Sequence, residues 1–159
     1  MIQIKKGNAV DALLNGEIDY LIHCTNSKGK YASGIAGEIR KRIPEAYSVY
    51  MRQHRLWLKR GKEGMPLGCI SSAKGVINLC GQEAYGYDKV RYGNYGAIAS
   101  GLCDLFCYLQ DIDQRQARNL NIGLPWIGCG LAGCDQTIIK EIIDHCLGGC
   151  YASVTIYEL

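Results

Sequence analysis

The chain has 159 residues, 48% of them hydrophobic and 21% charged. That is enough apolar material for one globular domain over 1–159, and too much for a disordered or fibrous chain. The net charge of only +3 excludes a polybasic or strongly acidic protein, although Arg40, Lys41, Arg42, Arg52, Arg55, Lys59, Arg60 and Lys62 share one stretch whose only carboxylate is Glu45. That stretch reads first as the solvated face of one or two helices, so nucleic acid stays a partner that is not favoured.

In chain order, Ile2 to Lys5 reads as a first strand and Ala9 to Leu14 as a short helix closed by Asn15-Gly16. Ile18 to Cys24 is an apolar run suited to a strand buried on both faces, and it delivers His23 to Asn26 at its carboxyl end. A loop follows, Asn26-Ser27-Lys28-Gly29-Lys30-Tyr31-Ala32-Ser33-Gly34-Ile35-Ala36-Gly37. Helical spacing then covers Ile35 to Ile43, and Pro44 starts a second helix to about Leu58. Cys69 to Ser72 and Val76 to Leu79, joined by Ala73-Lys74-Gly75, form a hairpin pattern. A loop rich in tyrosine and glycine runs from Gly81 to Tyr95. A helix over Ala97 to Gln110, a strand over Asn119 to Leu124, a helix over Ile138 to Leu147 and a strand over Ser153 to Tyr157 complete the chain. Interleaved strands and helices predict a mixed sheet between helical layers, with ligands outside the strand carboxyl ends.

The second loop, Pro125-Trp126-Ile127-Gly128-Cys129-Gly130-Leu131-Ala132-Gly133-Cys134-Asp135, also leaves a strand and enters a helix. Glycines at such turns let backbone N–H groups approach and hold an anion, so two of these loops suggest two clamps on one phosphorylated ligand. Nine cysteines, an odd number with no C-x-x-C knuckle, read as reduced thiols in a cytoplasmic protein. The N-terminus lacks the apolar segment of a signal peptide, and no run reaches the length of a membrane span. No membrane partner is expected.

His23-Cys24-Thr25-Asn26 followed by Gly34-Ile35-Ala36-Gly37, and Leu124 to Gly133 before a helix, together resemble the macrodomain family over nearly the full length. Val154-Thr155-Ile156-Tyr157 also looks like that family's last strand. Within the family the chain is most similar to the branch of ADP-ribose-1″-phosphate phosphatases and terminal ADP-ribose glycohydrolases. The resemblance implies a three-layer α/β/α sandwich with a central mixed sheet, and ADP-ribose or ADP-ribose-1″-phosphate as ligand. It implies that Asn26 meets the distal ribose. It also implies that Gly34 to Gly37 hold one phosphate and Gly128 to Gly133 (Gly128, Cys129, Gly130, Leu131, Ala132, Gly133) the other, with Ser33, Pro125 and Ile127 also among the ligand-binding residues. An aspartate usually follows the first strand to receive the adenine amino group, whereas here the segment is Gly7-Asn8-Ala9. Asn8 can accept through its amide oxygen, cap the helix at Ala9, or do both.

In the glycohydrolase branch a lysine near the end of the hairpin's second strand and an aspartate in the second loop carry the chemistry. Gln82 and Ala132 stand at the matching positions, and neither serves as a nucleophile or its base. Gly133-Cys134-Asp135 is more similar to the phosphatase branch. The leading expectation is therefore removal of the 1″-phosphate, with His23 and Asp135 handling water and protons and Asn26 orienting the ribose. Neither metal nor cofactor is expected. The alternatives are hydrolysis of ADP-ribose from protein or nucleic acid, and a non-catalytic reader.

Plainer roles compete for several residues. His23 can be a satisfied buried histidine, and Asp135 a helix N-cap. Cys24, adjacent to His23 in a strand, faces the other way and reads as core. Cys129 and Cys134 lack the following basic residue that a thiolate nucleophile needs. Cys103, Cys107, Cys146 and Cys150 are spaced as pairs on helix faces, which favours packing over metal ligation. Of Tyr85, Tyr87, Tyr92 and Tyr95, one is expected on the ligand and at least two in loop packing. Trp126 reads as a lid on the sheet, and Lys28 and Lys30 as exposed loop lysines.

Overall fold

A computed structural model describes residues 2–159. Its strands are β1 (Ile2–Lys6), β2 (Tyr20–Asn26), β3 (Ile70–Ala73), β4 (Val76–Gln82), β5 (Asn121–Leu124) and β6 (Ser153–Glu158). They form one sheet in the order β1-β6-β5-β2-β4-β3, parallel throughout except for β3 against β4. The helices are α1 (Ala9–Leu14), α2 (Gly34–Arg42), α3 (Pro44–Lys59), α4 (Tyr95–Ile112) and α5 (Gln136–Leu147).

Period-two alternation along the strands divides the interior in two. Ile22, Ile77 and Leu79 pack with Ile98, Leu102, Leu105, Ile139 and Ile143 of α4 and α5. Leu21, Val76 and Cys80 point the other way, into Val10, Ile39, Ala46 and Tyr50 of α1, α2 and α3. Both faces are covered, which is why β2 and β4 read as nearly continuous apolar runs. Each fully buried leucine or isoleucine contributes on the order of 2 kcal/mol. The expected three-layer α/β/α arrangement with a mixed sheet is therefore observed.

Element ends differ from the sequence reading for local reasons. β2 starts at Tyr20, because Asp19 is held outside it: its backbone N–H donates to the Asn121 carbonyl (2.8 Å) and its carboxylate accepts from the Asn121 N–H (2.7 Å). β5 starts at Asn121 because Ala117–Asn119 forms a 3₁₀ turn. α4 starts two residues earlier than its apolar pattern because Asn94 caps it, accepting from the Ala97 N–H at 2.9 Å. The β3–β4 hairpin turns on Lys74 (φ 53°) and Gly75 (φ 81°), the left-handed pair that a two-residue hairpin loop requires. Among the described residues no helix is long and apolar enough to cross a membrane.

Candidate functional site: a cleft across the strand carboxyl ends

Because β6, β5, β2 and β4 run parallel, their carboxyl ends emerge along one edge, and a cleft of about 490 Å³ lies across them. That volume suits a small-molecule ligand. Leu159 follows β6, Pro125 and Trp126 follow β5, Cys24 to Asn26 end β2, and Gln82 ends β4; all line the cleft. Strand order therefore sets its direction, with an apolar end at Trp126 and Leu159 and a more polar end at Asn26, Lys30 and Gln82.

Two turns with available backbone donors form the walls. α2 begins without a side-chain cap at Ser33, and Gly34, Ile35 and Ala36, whose N–H groups have no acceptor within the helix, line the cleft. Opposite, the loop after β5 is closed by Cys134 N–H donating to the Gly128 carbonyl (2.8 Å) and Gly133 N–H donating to the Gly130 carbonyl (3.1 Å). Gly128 (φ 71°) and Gly133 (φ 76°) supply the left-handed positions for that closure. The N–H groups of Gly130, Leu131 and Ala132 engage no acceptor among the described residues. Such amide arrays favour an anion without a charged side chain.

Asn26 organises the polar end. Its Oδ1 accepts from the N–H groups of Lys28 (3.0 Å) and Lys30 (3.2 Å) and from Tyr50 Oη (3.2 Å), while Nδ2 donates to the Lys30 carbonyl (2.8 Å). One Nδ2 hydrogen is left for a ligand. Tyr50 Oη also donates to the Asn26 carbonyl at 2.6 Å, holding the residue from beneath. Gln82 is tied down by its Nε2 donation to the Ala84 carbonyl (2.8 Å). Tyr87 reaches across the cleft mouth, with Oη 3.3 Å from Ser33 Oγ.

Several expected site residues lie elsewhere. His23 is fully buried beneath the sheet, Nε2 being 2.6 Å from Asn78 Oδ1 and 2.9 Å from Tyr31 Oη, and it does not line the cleft. Its neighbour Cys24 does, because successive strand residues face opposite ways. Burial lowers the His23 pKa to about 4, with a smaller opposing effect from Asn78, so the ring is neutral near pH 7. Asp135 also lies outside the cleft: it caps α5, Oδ1 accepting from the N–H groups of Thr137 (2.8 Å) and Ile138 (3.2 Å). The expected proton-handling pair is therefore absent from the cleft wall.

Gly7, Asn8 and Ala9 do not line it either. Gly7 N–H donates to the Glu158 carbonyl at 2.7 Å, extending the β1–β6 pairing. Asn8 caps α1 through Oδ1 (2.8 Å to Val10 N–H), while its Nδ2 donates to both Glu38 carboxylate oxygens at 3.1 Å. Ala9 is buried as the first residue of α1. Gly37 is not among the lining residues, and a Cβ added there would lie 2.7 Å from the Ala32 carbonyl oxygen. Cys129 packs against the core, and Gly133 abuts the Arg91 backbone. Asn26, Ser33, Gly34, Ile35, Ala36, Pro125, Ile127, Gly128, Gly130, Leu131 and Ala132 do line the cleft.

The structure adds Thr25, Lys30, Ala32, Gln82, Gly86, Trp126 and Leu159 to the lining and selects Tyr85 and Tyr87 from the four loop tyrosines. Tyr92 is instead bonded to Asp88, and Tyr95 Oη accepts from the Asp135 N–H at 2.9 Å. Trp126 presents its indole to the cleft while Nε1 donates to Glu158 Oε1 at 2.8 Å. The apolar pattern ends the central strand at Leu79, so Gln82 is marked only by its match to the family's lysine position, and the structure carries β4 on to it; Lys30 and Trp126 lie within the two loops themselves. Nothing local marked Leu159.

Three of the eight basic residues of that stretch are engaged within the chain. Arg42 pairs with Asp11 and Glu38 (2.7 Å each), Arg40 lies over the Tyr47 ring (4.0 Å) and Arg60 over Trp57 (5.2 Å).

No protein-family model matches the chain. A DNA ADP-ribosyl glycohydrolase of Thermus aquaticus is 23% identical over 150 residues, which are 92% of this chain. The chain spans about 38% of that curated relative's length. The macrodomain of Thermus aquaticus DarG superposes with a TM-score of 0.73 at 22% identity, covering 100% of this chain and 99% of that one. The fold is that of a macrodomain. A Bacteroides thetaiotaomicron protein of unknown function shares this macrodomain fold at 26% identity and TM-score 0.73, covering 100% of this chain and 98% of its own. Thermosipho africanus DarTG, solved in complex with ADP-ribose, superposes at 16% identity and TM-score 0.73, over 98% of this chain and 41% of that one.

Proposed function

We propose that this macrodomain-fold chain binds ADP-ribose in the cleft and releases it from a macromolecule by hydrolysis at the distal ribose. The observation that carries the reading is the pair of opposed turns, whose exposed amides suit a diphosphate. The likeness to a DNA ADP-ribosyl glycohydrolase supports a nucleic-acid or protein adduct as substrate in preference to a free 1″-phosphate.

In this reading the adenine lies toward Trp126 and Leu159, the diphosphate between the turns, and the distal ribose against Asn26. The bond to the acceptor then lies at the Gln82 end, beside Tyr85 and Tyr87. Water adds at the anomeric carbon while the acceptor departs with a proton. Lys30 is the cation that lines this end, and its ammonium offsets charge on the diphosphate or on the departing acceptor. The phosphatase reading loses support, because the two groups it required sit in the core and at a helix cap.

A second reading, a non-catalytic reader, is favoured by one observation: among the described residues, the side chains that line the cleft include no carboxylate and no imidazole. Both readings are tested by incubating the protein with ADP-ribosylated DNA, ADP-ribosylated protein and ADP-ribose-1″-phosphate, and measuring ADP-ribose affinity in parallel. Release from DNA or protein, lost in Lys30→Met while affinity falls less than tenfold, is the expected result. Binding without turnover of any substrate leaves the reader. Absence of ADP-ribose binding overturns both, and Asn26→Ala is expected to weaken binding at least tenfold.

A further inference from the structure

Four of the nine cysteines gather on the helical layer away from the cleft, two on α4 (Cys103, Cys107) and two at the end of α5 and just beyond it (Cys146, Cys150). The i, i+4 spacing of Cys103 and Cys107 puts that pair on one side of α4, and Cys146, in the last turn of α5, meets Cys103 there while Cys150 lies in the turn beyond α5. Cys103 Sγ donates to Cys146 Sγ at 3.2 Å, while Cys146 Sγ lies 3.5 Å from the Ala99 carbonyl oxygen. Cys103 is exposed and Cys146 half-buried. No three metal-ligating side chains converge among the described residues, and the contact here is between two thiols.

We propose that Cys103 and Cys146 are a thiol modification site that closes reversibly into an intramolecular disulfide when it meets a low-molecular-weight disulfide. Disulfide sulfurs lie about 2.05 Å apart, so joining two that stand 3.2 Å apart requires a movement of about 1 Å. Solvent reaches Cys103, and burial together with the Cys103 contact raises the Cys146 thiol to about 12. The exposed sulfur therefore reacts first. Its thiolate attacks one sulfur of the incoming disulfide, forms a mixed disulfide and expels one thiolate. Cys146 then loses its proton to solvent and attacks Cys103 Sγ, expelling the second thiolate, which is protonated. Two protein thiols lose two electrons and two protons, and one small disulfide becomes two thiols. The new bond ties α4 to α5, whose N-terminal ends both flank the second glycine loop through the contact between Tyr95 and Asp135.

The test is to reduce and desalt the whole chain, expose it to oxidised glutathione, block remaining thiols and map peptides by mass spectrometry without reduction. The expected result is a Cys103–Cys146 cross-linked peptide, with the chain lighter by two hydrogens and restored by dithiothreitol. Cys103→Ser and Cys146→Ser should each abolish the cross-link, while Cys107→Ser and Cys150→Ser should leave it in place. Because Cys103 is exposed, its serine variant tests the pairing without emptying the core. A stable glutathione adduct on Cys103 with no cross-link, or a cross-link confined to Cys107 and Cys150, overturns the proposal. A closed bond should also raise the midpoint of thermal unfolding by at least a few degrees, and an unchanged midpoint in cross-linked protein would count against native geometry at the pair.

Discussion

Burial takes His23 out of proton chemistry near neutral pH and makes it a stability determinant instead. Its Nε2 donates to Asn78 Oδ1, because Asn78 Nδ2 is committed to the Ala46 carbonyl (3.0 Å) and Ser71 Oγ (3.2 Å), which turns the amide oxygen toward the ring. Nδ1 is left buried without a partner. With the folded pKa lowered from 6.5 to about 4, the unfolded chain takes up a proton first as pH falls. Stability is complete above pH 6.5 and is lost as pH drops toward 4, by up to about 3 kcal/mol from this group. Urea unfolding at about pH 7.5 and pH 4.5 should show that loss, and His23→Gln should remove much of it. Equal acid sensitivity in both proteins would refute the assignment. Asp113, held well below the usual carboxylate range chiefly by its bonds to Arg115, contributes its own loss only at lower pH.

At the scale of elements, what matters is how α2 and α5 begin. α5 is capped by Asp135, whereas α2 has no side-chain cap at Ser33 and its first residues line the cleft. Capping satisfies amides; leaving them uncapped stores binding capacity for an anion. Asp135→Ala should therefore cost about 1 kcal/mol of stability while leaving ADP-ribose affinity and any turnover within twofold of the parent. Chemical denaturation and the hydrolysis assay on one preparation check this. A large loss of turnover with unchanged stability would return Asp135 to the chemistry.

For the whole molecule, the cleft exists because two loops far apart in sequence leave neighbouring parallel strands, β2 and β5. A ligand that spans both should stabilise the fold as a unit. At ADP-ribose concentrations about a hundredfold above Kd the gain is about 2.7 kcal/mol, or a rise in Tm of roughly 5–10 °C for a chain of this size. A Cβ added at Gly130 would meet nothing within 4 Å, and the backbone there has no left-handed φ. Gly130→Asp should thus leave the Tm without ligand unchanged yet abolish most of the rise, because a carboxylate there opposes the phosphate. A full rise in that variant would move the diphosphate away from the second turn.

Apolar periodicity and glycine placement were enough to read the strand–helix order, the mixed sheet and both loops, because those signals are local and repeat with the element's own period. The positions of Asn26 at the end of β2 and of the glycine turns after β2 and β5 were legible for the same reason, whereas the roles given to them came from the family resemblance. Side-chain destiny was not. His23 and Cys24 are adjacent and equally suggestive, yet only the direction of the strand's pleat and the packing of Tyr31 and Asn78 bury one and open the other to the cleft. Asp135 carries the same residue type for a cap as for a base, and only the position of α5 separates the two roles. Trp126 joins Leu159, and Cys103 meets Cys146, because tertiary packing brings distant segments together and no local pattern encodes those distances.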